Sequence, residues 1–273
     1  MICWHYCSND SFAKIIQSHT LWLTDSSAMN DSTECKLMID RINEYFDTTP
    51  ETPRSKAMKQ TLLLNCQGRR FLSCFSLEAD LLSQWCRYAD DGRGVAICFD
   101  FGKLHIPDKL LLGAMNDEQI GFSPVIYDPD EQRQIIKSLV SEHEQLCEDY
   151  IKYPEKYEHS SPDVMKCYQM LIGYSMVFKH PGFAEEKECR LIYAPWRGPA
   201  PAYHSKGGSL SPHFVFPFAF KNEHGQPEQC DDVIIEIRLG PRNTSQAEDI
   251  QKFLTENGYT NVKITKSKIP YVG

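Results

Sequence analysis

Apolar positions along this chain recur sometimes every second residue and sometimes every third or fourth, and the switches between the two spacings mark its elements. ICWHYC (2–7) reads as a first strand. Ser8 or Asn9 then caps a helix whose Phe12, Ile15 and Ile16 fall at helical spacing. TLWLT (20–24) alternates as a second strand, and DSSAMNDST (25–33) is rich in turn formers. Helices are expected at about 34–46 and about 54–66, on either side of the breaker TTPETP. FLSCFS (71–76) reads as a third strand, and residues 80–89 suit a short helix capped by Asp80. DDGRG turns the chain into VAICFDF (95–101), a near-continuous apolar run of the kind found in strands buried on both faces.

The second half is less regular. GFSPVIYD (121–128) reads as a strand followed by a turn. Asp128, Pro129 and Asp130 open a long polar helix to about 152, with Ile135, Leu139 and Leu146 inward. Ser161-Pro162-Asp163 opens a further helix to about 178, a cap followed by a proline at the first helical position. FKHPGFAEE reads as a connecting loop, ECRLIYAPW (188–196) as a strand and GPAPAYHSKGGSLSP as a flexible loop. HFVFPFAF and DVIIEIRLG are two more strands, SQAEDIQKFLTENGY a helix ending at Gly258, and NVKITKSK a last strand. Helices and strands do not alternate strictly as βαβ. The expectation is an α+β fold over residues 1–273, one domain with a largely antiparallel sheet, surrounding helices and a helical insertion at about 128–180.

Charge and cysteine content narrow the function classes. The chain has 273 residues, with 29 Lys plus Arg against 37 Asp plus Glu, a formal net charge of −8. That balance argues against coating nucleic acid by bulk charge, though not against a local basic site. Eleven cysteines are present and no two are spaced C-x-x-C. Cys74, Cys98 and Cys189 lie inside apolar runs, which points to reduced, buried thiols that act as small hydrophobes rather than metal ligands. The opening MICWHYCSND lacks the features of a secretory signal, and no apolar run approaches the ~20 residues of a membrane helix. A cytoplasmic protein with no membrane partner is therefore expected. No phosphate-loop, dinucleotide-binding, G-x-S-x-G or H-E-x-x-H signature is present. Pro162-Asp163 followed by Glu185-x-Lys187 imitates a metal-dependent nuclease, whose carboxylates must converge on a divalent ion. Pro162-Asp163 behind Ser161 suits a helix start better.

The candidate chemistry gathers on three segments. The first strand carries His5 and Tyr6 and is followed by Ser8. The third strand carries Ser73, Phe75 and Ser76 and leads into a helix with Ser83, Trp85 and Tyr88. A later strand opens with Glu188, followed by Arg190 on the same face. Each also has a plain reading: a structural histidine, aromatic core anchors and a solvated charged turn. Beyond these residues, T-L-W-L-T at 20–24, Met29-Asn30-Asp31 with Glu34, C-F-S at 74–76, W-C-R-Y-A-D-D-G-R-G-V-A-I-C-F-D at 85–100, F-K at 178–179 and E-K-E-C-R-L at 186–191 together resemble the bacterial family called domain of unknown function twenty-nine seventy-one. That family supplies no activity.

The order of the same segments is similar, more distantly, to the His-Tyr-Glu branch of the ADP-ribosyltransferase superfamily. This resemblance implies an ADP-ribosyltransferase-like split sheet and NAD as substrate. Glu188 would be the catalytic carboxylate and His5 would hold a ribose hydroxyl. Tyr6, Phe75 and Tyr88 would sandwich the nicotinamide, with Ser8, Ser76 and Arg190 completing the NAD site. Glu186 would supply the first Glu of the E-x-E seen in protein-modifying members. Lys179, Arg190 and the Arg69-Arg70 pair are candidates for a pyrophosphate. The implied partners are a macromolecular acceptor, protein or nucleic acid, and a bacterial partner such as an antitoxin, with the chain acting as a toxin or defence effector. Two departures stand out: Ser8 does not directly follow His5, and Phe75 stands where a Tyr is expected. The alternatives are a non-catalytic sensor or interaction module on the same fold, or a metal-dependent nuclease.

Overall fold

The computed structural model describes residues 1–26, 36–66, 70–104, 106, 120–152, 170–194, 200–206, 208–221 and 226–272. Its centre is a ten-stranded sheet, antiparallel throughout except for one parallel pair among the described residues. The first strand, β1 (Ile2–Cys7), lies in the interior of this sheet. One of its edges pairs with β4 (Val95–Asp100) over its whole length, from Ile2–Asp100 to Cys7–Val95. Its other edge meets β3 (Phe71–Ser76) at Trp4–Ser76. Further along that same edge, β3 pairs with β2 (Thr20–Asp25) through Thr24–Leu72 and Asp25–Phe71. Its opposite edge is filled by β6 (Glu188–Tyr193), register Phe71–Tyr193 to Ser76–Glu188. β6 carries β5 (Ile120–Pro124) on its outer side. Beyond β2 come β8 (Ser209–Pro217) and β7 (Ala202–Lys206). Beyond β4 come β11 (Ile234–Leu239) and, parallel to it, β12 (Lys263–Lys266). A small separate hairpin joins β9 (Ala219–Lys221) and β10 (Pro227–Gln229).

The two faces of the sheet are covered differently. Phe71 and Phe75 of β3 and Cys189 and Leu191 of β6 pack into one core with Phe12 and Ile16 of α1 (Asn9–Ser18) and Leu254 of α6 (Ala247–Glu256). On the other face, Leu72 and Ile192 lie under Met38 and Ile42 of α2 (Leu37–Asp47), Met58 and Leu62 of α3 (Pro53–Asn65), and Ile136 and Leu139 of α5 (Pro129–Lys152). A smaller cluster on β1 and β4 joins Trp4, Tyr6, Ala96 and Cys98 to Trp85 of α4 (Leu82–Tyr88). The expected α+β character is thus present as a large, mostly antiparallel sheet with several helices. The turn between α4 and β4 uses left-handed backbone at Asp90, Asp91 and Gly92. Gly94 and Gly240 then let the chain close up. A Cβ on Gly94 would stand 2.1 Å from the Cys7 carbonyl oxygen, and one on Gly240 2.3 Å from that of Gly92.

Several expectations need correction. GPAPAYHSKGGSLSP does not stay a loop: from Ala202 on it forms the β7–β8 hairpin, closed by the pair Lys206–Ser209, with Gly208 at φ 84°. Asp80 does not cap α4. The N-cap is Leu81, with no side-chain bond, while Asp80 accepts from Trp85 Nε1 at 2.7 Å, Ser267 Oγ at 2.6 Å and Lys268 N at 2.9 Å. FKHPGFAEE contains a 3-10 turn, Pro181–Glu186, started by His180 Nδ1, which accepts from Gly182 N. The Ser161-Pro162-Asp163 helix start lies outside the described residues, which show helix at 170–175. Among the described residues no helix is long and apolar enough to cross a membrane. Cys3, Cys7, Cys98, Cys189 and Cys230 are buried free thiols. Burial pushes Cys7, Cys98 and Cys230 up to about 12, so these thiols stay protonated and unreactive at neutral pH.

Candidate functional site

The 3-10 turn Pro181–Glu186 ends at Lys187, whose left-handed backbone (φ 44°) swings the chain into β6. Side chains then alternate. Glu188 and Arg190 fall on the helix-covered face, opposite Ser76 and Cys74 of β3, while Cys189 falls on the other. Arg190 Nε donates to Glu188 Oε1 at 2.7 Å and its Nη2 to Oε2 at 3.2 Å. Arg190 Nη1 donates to the Met176 carbonyl at 2.6 Å. Lys179 Nζ, arriving from the end of the helical insertion, bridges two carboxylates, at 2.6 Å from both Glu188 Oε2 and Glu186 Oε2. The remaining oxygen of Glu186, Oε1, accepts from Arg87 Nη1 of α4 at 2.8 Å. Glu186, Glu188, Lys179 and Arg190 are all buried. The result is a linear chain of alternating charge, Arg190, Glu188, Lys179, Glu186, Arg87.

Backbone contacts fix the frame. Ser76 Oγ donates to the Glu186 carbonyl at 2.8 Å, and Glu188 N donates to Tyr127 Oη at 3.0 Å. Lys179 Nζ also stands 4.9 Å from the centre of the Phe183 ring. Burial pushes the Glu188 carboxyl up, but Arg190 and Lys179, with a bond from the Cys74 thiol, outweigh it and hold it at about 2. Burial lowers the Lys179 ammonium, and the two glutamates reverse this and raise it. Burial, and next the Glu186 charge, raise the Tyr88 phenol, which lies beside Glu186, Lys179 and Cys74. The cluster reaches solvent at one end only among these residues, where the Arg87 side chain is 56% and Tyr88 42% exposed. Chemically, this is a buried pair of carboxylates, with Glu188 held ionised by Arg190 and Lys179, set beside an aromatic ring at the surface.

The structure brings together Ser76, Tyr88, Glu186, Glu188 and Arg190. It does not bring His5, Phe75, Tyr6 or Ser8 to them. His5 follows Trp4, the partner of Ser76, so its ring takes the opposite face from Glu188. There its Nδ1 bonds the Cys74 carbonyl at 3.1 Å and its ring lies 5.4 Å from Phe75. Phe75 is a core residue, packed against Phe99, Phe101 and Phe122 at 5.8, 5.1 and 5.6 Å. Tyr6 is on the Glu188 face but lies under Trp85, ring centres 4.8 Å apart. Its hydroxyl donates to the Glu78 carbonyl and accepts from Leu81 N. Ser8 caps α1, its Oγ accepting from Ser11 N at 3.2 Å. Lys179 and Arg190, considered for a pyrophosphate, are already committed to carboxylates. Arg69 lies outside the described residues. Of the nuclease pattern, Asp163 is also outside them, Glu185 is exposed and Lys187 pairs with Glu78 at the surface. Sequence reasoning missed Arg87, Cys74 and Tyr127. Only Arg87 carried a signal, as the neighbour of Tyr88 on the helix already singled out.

Comparison with known proteins bears on the same residues. No curated protein and no solved structure matches the chain. A family model described as Protein of unknown function (DUF2971) matches residues 84–191. The match opens on α4, three residues before Arg87, and closes one residue past Arg190. It therefore encloses Arg87, Tyr88, Tyr127, Lys179, Glu186, Glu188 and Arg190, and leaves out His5, Tyr6, Ser8, Phe75 and Ser76. The segment in which this chain is similar to that family of unknown function is the segment that supplies every charged member of the cluster.

Proposed function

We propose that the chain is an NAD-consuming enzyme of the ADP-ribosyltransferase kind, with Glu188 as its carboxylate and the Ser76–Tyr88–Glu186 edge as its substrate wall. One observation carries this reading. The strands on which the resemblance distributes its motifs, far apart in sequence, are laid side by side in the order β1, β3, β6, with the Tyr88 helix at their end. Cleavage of the nicotinamide–ribose bond develops positive charge on the sugar, and a fixed anion stabilises that charge without reorganising. Glu188, held in place by Arg190, would present such an anion once Lys179 has moved away from its Oε2, and Tyr88 offers a surface ring for the nicotinamide to stack on. In this reading His5 and Phe75 support the strands from behind, and Ser76 holds the Glu186 backbone in place. Lys179 must leave Glu188 Oε2 when the sugar arrives. The acceptor is a protein or a nucleic acid.

A second reading, a non-catalytic interaction module, is favoured by a different observation: all the carboxylate oxygens of Glu186 and Glu188 already accept bonds. Nicotinamide release from labelled NAD separates the two. The enzyme reading expects release by the native chain, a drop on the order of 10²–10³ in Glu188→Gln, as for loss of one transition-state contact, and a raised KM in Tyr88→Ala. Unfolding curves for each variant check that the fold is kept. Absence of release by the native chain, or equal release by Glu188→Gln, leaves the module reading.

A further inference from the structure

On the sheet face that carries Glu188, but at the far end of β3, two buried polar side chains stand without hydrogen-bond partners among the described residues. The Nε and Nη2 atoms of Arg70 are unsatisfied although the residue is only 4% exposed, and so is the Oγ of Ser211, 5% exposed. They lie in one row across the strands. Leu72 pairs with Thr24 and Thr24 with His213. Two residues on in each strand, the same face carries Arg70, Ser26 and Ser211, followed by His204, the partner of Ser211. The Ser26 N–H bonds the Arg70 carbonyl at 2.9 Å, which keeps the row in register. Two strand spacings put Arg70 and Ser211 roughly 10 Å apart at their Cα atoms, with only the small Ser26 between them in the row. Asp25, which precedes Ser26, takes the opposite face with its partner Phe71. Beside the row, the His204 and His213 rings meet Nδ1 to Nδ1 at 3.2 Å. The half-exposed Trp22 indole lies over them, at 5.0 and 4.2 Å.

A buried guanidinium with no anion is costly, because it gives up water and receives nothing in return. A hydroxyl orphaned in the same row adds a second donor with no partner among the described residues. We propose that Arg70 and Ser211 form an anion site for the phosphate group of a small phosphate ester, separate from the Glu188 cluster. Guanidinium and hydroxyl donors together suit an oxyanion with several acceptors, and the half-exposed Trp22 indole over the neighbouring His204 and His213 rings suits a ligand that also carries a flat ring. Arg70 lies six residues along β3 from Ser76, roughly 20 Å at the rise of a strand. Leu72 and Ile192 and the helices over them fill the space between. The site does not depend on the NAD reading.

Thermal unfolding of the full chain, titrated with inorganic phosphate against chloride at matched ionic strength, tests it. The native chain should show a saturable rise in midpoint, and a nucleoside 5′-monophosphate should act at lower concentration than phosphate. Arg70→Met should lose the rise while unfolding no earlier than the native chain in phosphate-free buffer, since it removes an unpaired buried charge. Ser211→Ala, which leaves the guanidinium in place, should need roughly tenfold more phosphate. Glu188→Gln should keep the response. The proposal is overturned by a native chain that responds to phosphate no more than to chloride, or by a Ser211→Ala or Arg70→Met that responds as the native chain does. It is equally overturned by an Arg70→Met that is strongly destabilised without phosphate, for then the guanidinium has its partner inside the chain.

Discussion

Strands β3 and β6 have two buried faces built on opposite principles. On one face Phe75 meets Phe99, Phe101 and Phe122 over Cys189, a mostly apolar packing with the His5 ring at its edge. On the other, one residue away in each strand, Ser76 and Glu188 support a chain of alternating charges. The apolar face gains from every methylene it removes from water and needs no exact partner. The charged face offsets the desolvation of its ions only while each keeps its counter-charge. Residues that are neighbours in a motif, such as Phe75 with Ser76 or Glu188 with Cys189, therefore report on different environments. A motif read as a string mixes the two.

The largest expected effect comes from breaking the charged face. Arg190→Met removes the guanidinium that bonds both Glu188 oxygens and the Met176 carbonyl, and should cost about 3–5 kcal/mol in urea unfolding. Adding Glu188→Met should recover part of that loss. A double variant as costly as the sum of the two would show that the pair is not coupled. Acid should act on the same face. Glu188 sits at about 2, below its ordinary 4.5, so its contribution is complete above 4.5 and is lost as pH falls toward 2. Stability should drop through that window and less steeply in Glu188→Gln, and identical slopes would remove Glu188 as the source. Next comes the apolar face. Phe75→Tyr buries a hydroxyl among phenyl rings and should cost about 1–3 kcal/mol, whereas a neutral outcome would mean the ring faces an open pocket rather than a core. The smallest effect concerns Ser8, where Ser8→Ala should cost about 1 kcal/mol as a lost helix cap. A change in nicotinamide release without that loss would return Ser8 to the substrate site.

Much of the sheet was legible because alternation is local. ICWHYC, FLSCFS and the Glu188 start of β6 fall where the spacing puts them. Which face each residue takes was not legible in β1. Cys3 and Cys7 on one side and Trp4 and Tyr6 on the other are all apolar, so a strand buried on both faces carries no parity signal, and His5 could be assigned to either. The β7–β8 hairpin was hidden by its Pro, Gly and Ser content, since its pairing rather than its propensity makes the strands. Asp80 looked like a cap because Ser267 and Lys268, which claim its oxygens, are 187 and 188 residues away in the sequence. In the charged cluster, the Glu188–Arg190 pair was visible at spacing two. Arg87 and Tyr127 arrive only through tertiary packing.

The placement of β1 and β4 has a consequence for how the protein is made. VAICFD is buried on both faces, and one of its backbone edges is completed only by Ile234–Leu239, well over a hundred residues later. Until that stretch leaves the ribosome, the nascent sheet presents a flat, apolar, unpaired margin, the kind of template on which chains join one another. Yield at high expression should therefore depend on how fast synthesis moves from residue 100 to residue 239, and a holdase that covers that margin should raise it more than one that acts on the finished fold.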